Sequence, residues 1–145
     1  VGFAIAHEYL IREMYKVKLP FEPNLLAQEA AIAAFNDDEF ISKTKELNKK
    51  SLKRFKEFFD EAGIRYIPTS ANFFMMIFPS EEAAIEFNEE CLNKGLILRH
   101  LPGFGIPEGI RINSGTDEET GFAIEVISEV YPDVIREYNL KSGLV

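Results

Sequence analysis

Two arginines sit among aliphatic residues in the C-terminal third of the chain. Arg99 lies in Ile97–Leu101 (ILRHL), and Arg111 lies in Gly109–Gly115 (GIRINSG). A guanidinium is planar, permanently charged and forked, so it matches a carboxylate or phosphate bidentately. The two-residue period of a strand puts Ile110 and Ile112 on one face and Arg111 with Asn113 on the other. If the two segments pair as a hairpin-like unit around the loop Pro102–Gly109, the guanidiniums become neighbours and form an anion site. Two blander readings stay open on the residues alone. One is an edge strand with a wet outer face, and the other is a pair of arginines snorkelling from a solvated face.

Other candidates carry less. The loop Gly103–Gly109 (GFGIPEG) is glycine-rich, but a dinucleotide fingerprint needs a strand before it and a helix after it. Here a strand follows, and Pro107 lacks an amide donor, so a mobile surface loop is the expectation. The basic run Lys43, Lys45, Lys49, Lys50, Lys53, Arg54 and Lys56 winds around a helix whose remaining stripe is aromatic, which reads as a solvated outer face. Glu81–Glu82 and Glu118–Glu119 fall in first helical turns, where they serve the helix dipole. Cys91, one turn after Phe87, reads as a packed thiol. With one cysteine and two histidines, His7 and His100, neither a metal cluster nor a Ser/His/Asp set can be assembled. No catalytic residue is identified on this pattern.

These residues need a scaffold, and 145 of them suffice for a domain with a real core. The composition, 46% hydrophobic and 28% charged, is that of a globular chain. A formal net charge of −8 argues against general nucleic-acid or anionic-membrane binding. No apolar run approaches the roughly 20 residues of a membrane span. The single cysteine fits a reducing, cytoplasmic setting. The chain opens at Val1 inside an apparent strand, which reads as a piece of a longer protein.

Hydrophobic periodicity and end signals predict the order β-α-α-α-β-β-α-β-β-α. Val1–Ala6 reads as a buried strand. His7–Val17 reads as a helix with Leu10, Ile11 and Met14 inward, and prolines in Leu19–Asn24 end it. Leu25–Phe35 reads as a strongly buried helix. Asn36 is expected to end that helix and to cap the next, Asp38–Ala62, with Glu39 in a capping box and Gly63 as its stop. Strands follow at Ile64–Pro68 and Asn72–Phe78, then a helix at Glu81–Gly95 capped by Ser80. After the two arginine strands, Thr116 and Glu119 form a capping box for a helix to about Tyr131, where Pro132 bends or ends it. The fold class is α+β, a two-layer sandwich with a small mixed sheet of about four strands.

The ordered set VGFAIA, LIREMYKVKLPFEPNLLAQEAAIAAFNDDEFI, SANF, GLILR and GFGIPEGIRINSGTDEET resembles the C-terminal part of fold-type I pyridoxal-phosphate aminotransferases. Within that group the resemblance is strongest to histidinol-phosphate aminotransferases, and it covers residues 1 to about 131. It implies that 1–36 are the end of a large domain, one strand with connecting helices, and that 37–145 are the C-terminal small domain. It implies that Arg111 binds the substrate's α-carboxylate and Arg99 its distal phosphate. Asn24, in the loop Pro20–Asn24, would approach the active site of the partner in a homodimer. The implied reaction exchanges an amino group between an amino-acid phosphate and a 2-oxo acid, with pyridoxal phosphate as cofactor. The lysine that anchors that cofactor precedes the first strand in the family and is expected to be absent here, leaving this piece inactive alone. A threonine-phosphate decarboxylase or an aromatic aminotransferase would share most of these motifs. A stand-alone binding module that kept the fold and lost catalysis is the other alternative.

Overall fold

Five α-helices and four strands follow one another in the residues that the computed structural model describes, 1–20 and 23–143. They divide into two compact units, Val1–Ser42 and Lys43–Val145.

In the first unit, α1 (Glu8–Val17) starts where the His7 ring accepts a hydrogen bond from the Tyr9 amide, 3.2 Å. α2 (Leu25–Phe35) starts where Asn24 Oδ1 accepts one from Ala27, 2.9 Å. Local signals place both helices, yet no described residue of this unit is buried. Leu10 and Met14, expected inward, are 51% and 45% exposed, and Leu26 of the supposedly buried α2 is 81% exposed. The strand expected at Val1–Ala6 is also absent, and these residues run irregular and exposed. The physical reason is common to all three. An apolar face is buried only against another element, and a strand needs a neighbour to take its amides and carbonyls. Among the described residues of this unit, nothing supplies either. Of the loop Pro20–Asn24, Phe21 and Glu22 lie outside the described residues.

Asn36 ends α2, as expected, but does not cap α3 (Asp38–Ala62). That role falls to Asp37, whose Oδ1 accepts the Phe40 amide at 2.9 Å. One residue decides the cap because the acceptor must sit three positions before the amide it receives.

The second unit holds the core. The sheet runs β1 (Tyr66–Ile67), β2 (Phe73–Ile77), β4 (Gly109–Asn113), β3 (Arg99–His100), and every neighbouring pair is antiparallel. The expected mixed sheet is therefore corrected: each strand returns beside its neighbour, so no parallel crossover is required. Burial alternates along β2, with Phe74 and Met76 inward and Phe73, Met75 and Ile77 only half-buried. The inward residues meet Phe55 and Phe59 of α3, Ala84, Phe87 and Cys91 of α4 (Glu81–Asn93), and Ala123, Ile127 and Val134 of α5 (Asp117–Ser142). All three helices thus lie on one face, and the fold is the two-layer α+β arrangement.

α5 runs through Pro132 to Ser142, so of the bend or end expected at that proline the end does not occur. A proline inside a helix costs about 3 kcal/mol. Here Val130 and Val134 are buried on either side, and Tyr131 packs its ring on Phe78 and Phe87. That burial outweighs one missing hydrogen bond.

Candidate functional site: an arginine pair on the open sheet face

β4 is an inner strand, between β2 and β3. The edge-strand reading of Arg111 is thereby overturned. Ile110 and Ile112 face the core, while Arg111 turns to the uncovered face with Asn113. Across the β3–β4 ladder, Arg99 is the direct partner of Arg111. Directly opposed residues in an antiparallel pair hold their Cβ atoms about 4.5–5.5 Å apart. Two like charges are therefore carried side by side, an arrangement that destabilises a sheet unless something else compensates.

No carboxylate does so. Arg12, Arg54 and Arg136 each hold a carboxylate within 2.9 Å. No such ion pair occurs for Arg99 or Arg111 among the described residues, a condition they share only with Arg65 of the remaining arginines. The Nε of Arg111 is enclosed and lacks any hydrogen-bond acceptor among those residues. Its guanidinium carbon lies 5.4 Å from the centroid of the Phe73 ring, within cation–π range.

The same arginines, with Asn113, Ser114, Gly115 and Glu119, border a cavity of about 760 Å³. It opens because β3 pairs with only Ile110 and Arg111. The residues beyond Arg111 have no strand neighbour on that side, and Gly95–Leu98 line the gap. Glu119 is the one carboxylate in this lining, and it is already committed. Its Oε2 accepts the Thr116 amide at 2.8 Å while its own amide donates to Thr116 Oγ1 at 3.2 Å. These bonds hold its carboxyl below the ordinary range. It stays ionised as a helix cap and forms no ion pair with the arginines. A side chain at Gly115 would strike it, since a Cβ there would stand 2.8 Å from Oε2.

The far end of β4 is tied down by a polar strut. Ser51 and Thr120, both buried, join their hydroxyls at 2.7 Å, and the Gly115 amide donates to Ser51 Oγ at 3.3 Å. Ser114 Oγ donates to Asn48 Oδ1 at 2.6 Å. Beside it, Asp117 binds Lys50 and Arg54, which hold its carboxyl below the usual range. Two members of the basic run thus anchor the start of α5.

Arg99 and Arg111 are brought together. Asn24 lies in the first unit, where its side-chain oxygen caps α2. Sequence reasoning treated His100 as unrelated to any site, yet it lines the cavity and bonds the Pro107 carbonyl. Its place next to Arg99 was the available signal. Phe73 escaped notice because its nearness to Arg111 depends on the β2–β4 register. The loop after β3 is tied closely, through a 3₁₀ turn at Pro102–Phe104 and a hydrogen bond donated by the Gly109 amide to the Ile106 carbonyl.

The model of the family described as aminotransferase class I and II matches residues 1–127. The chain belongs to the class I and II aminotransferases. This aminotransferase chain is 37% identical over 130 residues to histidinol-phosphate aminotransferase of Akkermansia muciniphila, covering 90% of the chain and 35% of that relative. Against the enzyme of the same name from Caldicellulosiruptor saccharolyticus it is 40% identical over 130 residues, covering 90% and 36%. It spans about a third of the length of these curated relatives. The crystal structure of histidinol-phosphate aminotransferase from Clostridium acetobutylicum matches with a TM-score of 0.73 at 20% identity, covering 87% of this chain and 39% of that one. The Sinorhizobium meliloti enzyme, in complex with pyridoxal-5'-phosphate, matches with a TM-score of 0.69 at 20% identity, covering 88% and 34%. At such identities the likeness is one of fold.

The aldehyde of that cofactor calls for an amine. No lysine lines the cavity or sits on any of the four strands. The residues lining the cavity offer two cations to an anion and no amine to the cofactor's carbonyl. Among the described residues, no His, Cys, Asp and Glu cluster suits a metal, and no helix is long and apolar enough to cross a membrane.

Proposed function

We propose that these residues are the substrate-orienting part of a pyridoxal-phosphate aminotransferase that exchanges an amino group between histidinol phosphate and 2-oxoglutarate, in histidine biosynthesis. The observation that carries this reading is the cross-strand pairing of Arg99 with Arg111, two guanidiniums with no carboxylate partner. Such a pair suits the two carboxylates of 2-oxoglutarate and the dianionic phosphate of histidinol phosphate, which has no carboxylate. Arg111 binds the α-carboxylate of 2-oxoglutarate and Arg99 its second carboxylate, and the two together take the phosphate of histidinol phosphate.

The chemistry at the α-carbon belongs to the cofactor, an electron sink. Its lysine anchor is assigned to a part of the full-length protein outside these residues, so the piece alone is inactive. Residues 1–36 are assigned to the end of a large domain and 37–145 to the small domain. In a homodimer Asn24 reaches the partner's substrate through its side-chain nitrogen, since its oxygen is engaged at α2.

The full-length protein should transfer the amino group of histidinol phosphate to 2-oxoglutarate. Preference for threonine phosphate or an aromatic amino acid instead would reject the substrate assignment. A charge-assisted hydrogen bond is worth about 1.5–3 kcal/mol. Arg111→Ala should therefore lower kcat/KM about 10- to 200-fold, measured by steady-state kinetics. Arg111→Lys should recover only part, because it keeps the charge and loses the fork. An unchanged kcat/KM in Arg111→Ala would overturn the role of the pair.

A further inference from the structure

We infer that Phe73 is a positioning residue: its ring is the shelf that holds the Arg111 guanidinium in a single orientation for the anionic group of a substrate. The inference rests on the substrate role proposed for Arg111 and deepens it.

Phe73 is the register partner of Asn113, and Met75 that of Arg111. Period two puts Phe73, Met75, Arg111 and Asn113 on one face, so Phe73 is the diagonal neighbour of Arg111. The strand offers Arg111 three kinds of company. Across β3 stands Arg99, which repels it. Across β2 stands Met75, which is apolar and bears no charge. Among these strand neighbours it is the Phe73 ring, 5.4 Å from the guanidinium carbon, that attracts it. The inner edge of the fork is fixed by enclosure of Nε, which finds no acceptor among the described residues.

Without the ring, a long arginine side chain beside a second cation has every reason to swing aside. Each binding event would then have to order it again, at the expense of affinity. The ring removes that disorder before the substrate arrives, and preorganisation of this kind improves binding without adding a contact. It acts on both substrates, since the Arg111 fork meets the phosphate of histidinol phosphate in one half-reaction and the α-carboxylate of 2-oxoglutarate in the other.

The test uses the full-length enzyme with Phe73→Leu, Phe73→Tyr and Arg111→Ala. Leucine keeps the apolar bulk and loses the π face, whereas tyrosine keeps both. Phe73→Leu should raise KM for the amino donor and for the 2-oxo acid alike, about 3- to 10-fold, with kcat held within about twofold. The dissociation constant for 2-oxoglutarate, read by titration calorimetry, should rise by the same factor. Phe73→Tyr should restore wild-type values, and Phe73→Leu should change nothing further in the Arg111→Ala background. Wild-type behaviour of Phe73→Leu, or equal losses in Phe73→Leu and Phe73→Tyr, would overturn the inference while leaving Arg111 in its role. An Arg111→Ala enzyme with unchanged affinity would instead bring down the role of Arg111, and the shelf with it.

Discussion

The two units of the chain use similar residues to opposite ends. The first, Val1–Ser42, is rich in leucine, isoleucine, alanine and phenylalanine, and its helices are well capped, yet none of its described residues is buried. The second, Lys43–Val145, puts Phe55, Phe59, Phe87 and Met76 at 1% exposure or less. Helix signals are local and act in either case. Burial is a collective property and needs facing surfaces, which the second unit supplies with a sheet and three helices. The arginine pair belongs to the unit that can hold a strand register, and only a fixed register can keep two repelling guanidiniums opposed.

That contrast can be broken or sharpened by experiment. The largest effect is expected in the core. Phe87→Ala, whose ring is fully buried between Phe78 and Tyr131, should destabilise the chain by about 3–5 kcal/mol in urea unfolding. A loss below about 1 kcal/mol would mean the second unit is no better packed than the first. An intermediate effect is expected at high pH. Burial pushes the Cys91 thiol from its ordinary value near 9 up to about 12. The folded state then binds a proton that the unfolded state releases. Stability from this group is intact below pH 9 and is lost as pH rises toward 12, by at most about 1.4 kcal/mol per unit. Cys91→Ala should flatten that alkaline slope in denaturation curves taken from pH 8 to 11. The smallest effect is expected in the first unit. Leu10→Ala should shift the stability of the 145-residue chain by no more than about 0.5 kcal/mol, as for an exposed side chain. A shift as large as that of Phe87→Ala would show that α1 has cover after all.

What was legible in the sequence follows the same division. α3, with Gly63 as its stop, and the Thr116–Glu119 capping box were readable because caps and periodicity act within a few residues. The pairing of Arg99 with Arg111 was readable as a possibility from the short loop between their strands. Its reality depended on β4 being an inner strand, which no local pattern reveals. The Phe73 contact was illegible, because β2 and β4 are about 35 residues apart and their register is set by the whole sheet. Burial of α1 and α2 was misread because an apolar pattern says that a face wants cover, not that the chain provides it. At Pro132 the sequence left open a bend or an end, and the end is excluded because buried neighbours offset the cost of the proline.

The brevity of β3 carries a consequence of its own. An outermost strand is a template on which a foreign chain could lengthen the sheet, and aggregation commonly begins there. β3 offers two residues, Arg99 and His100. An incoming strand would find little backbone to join and would meet a cation on arrival. The residue proposed to grip a phosphate therefore also keeps the sheet from growing into a fibre.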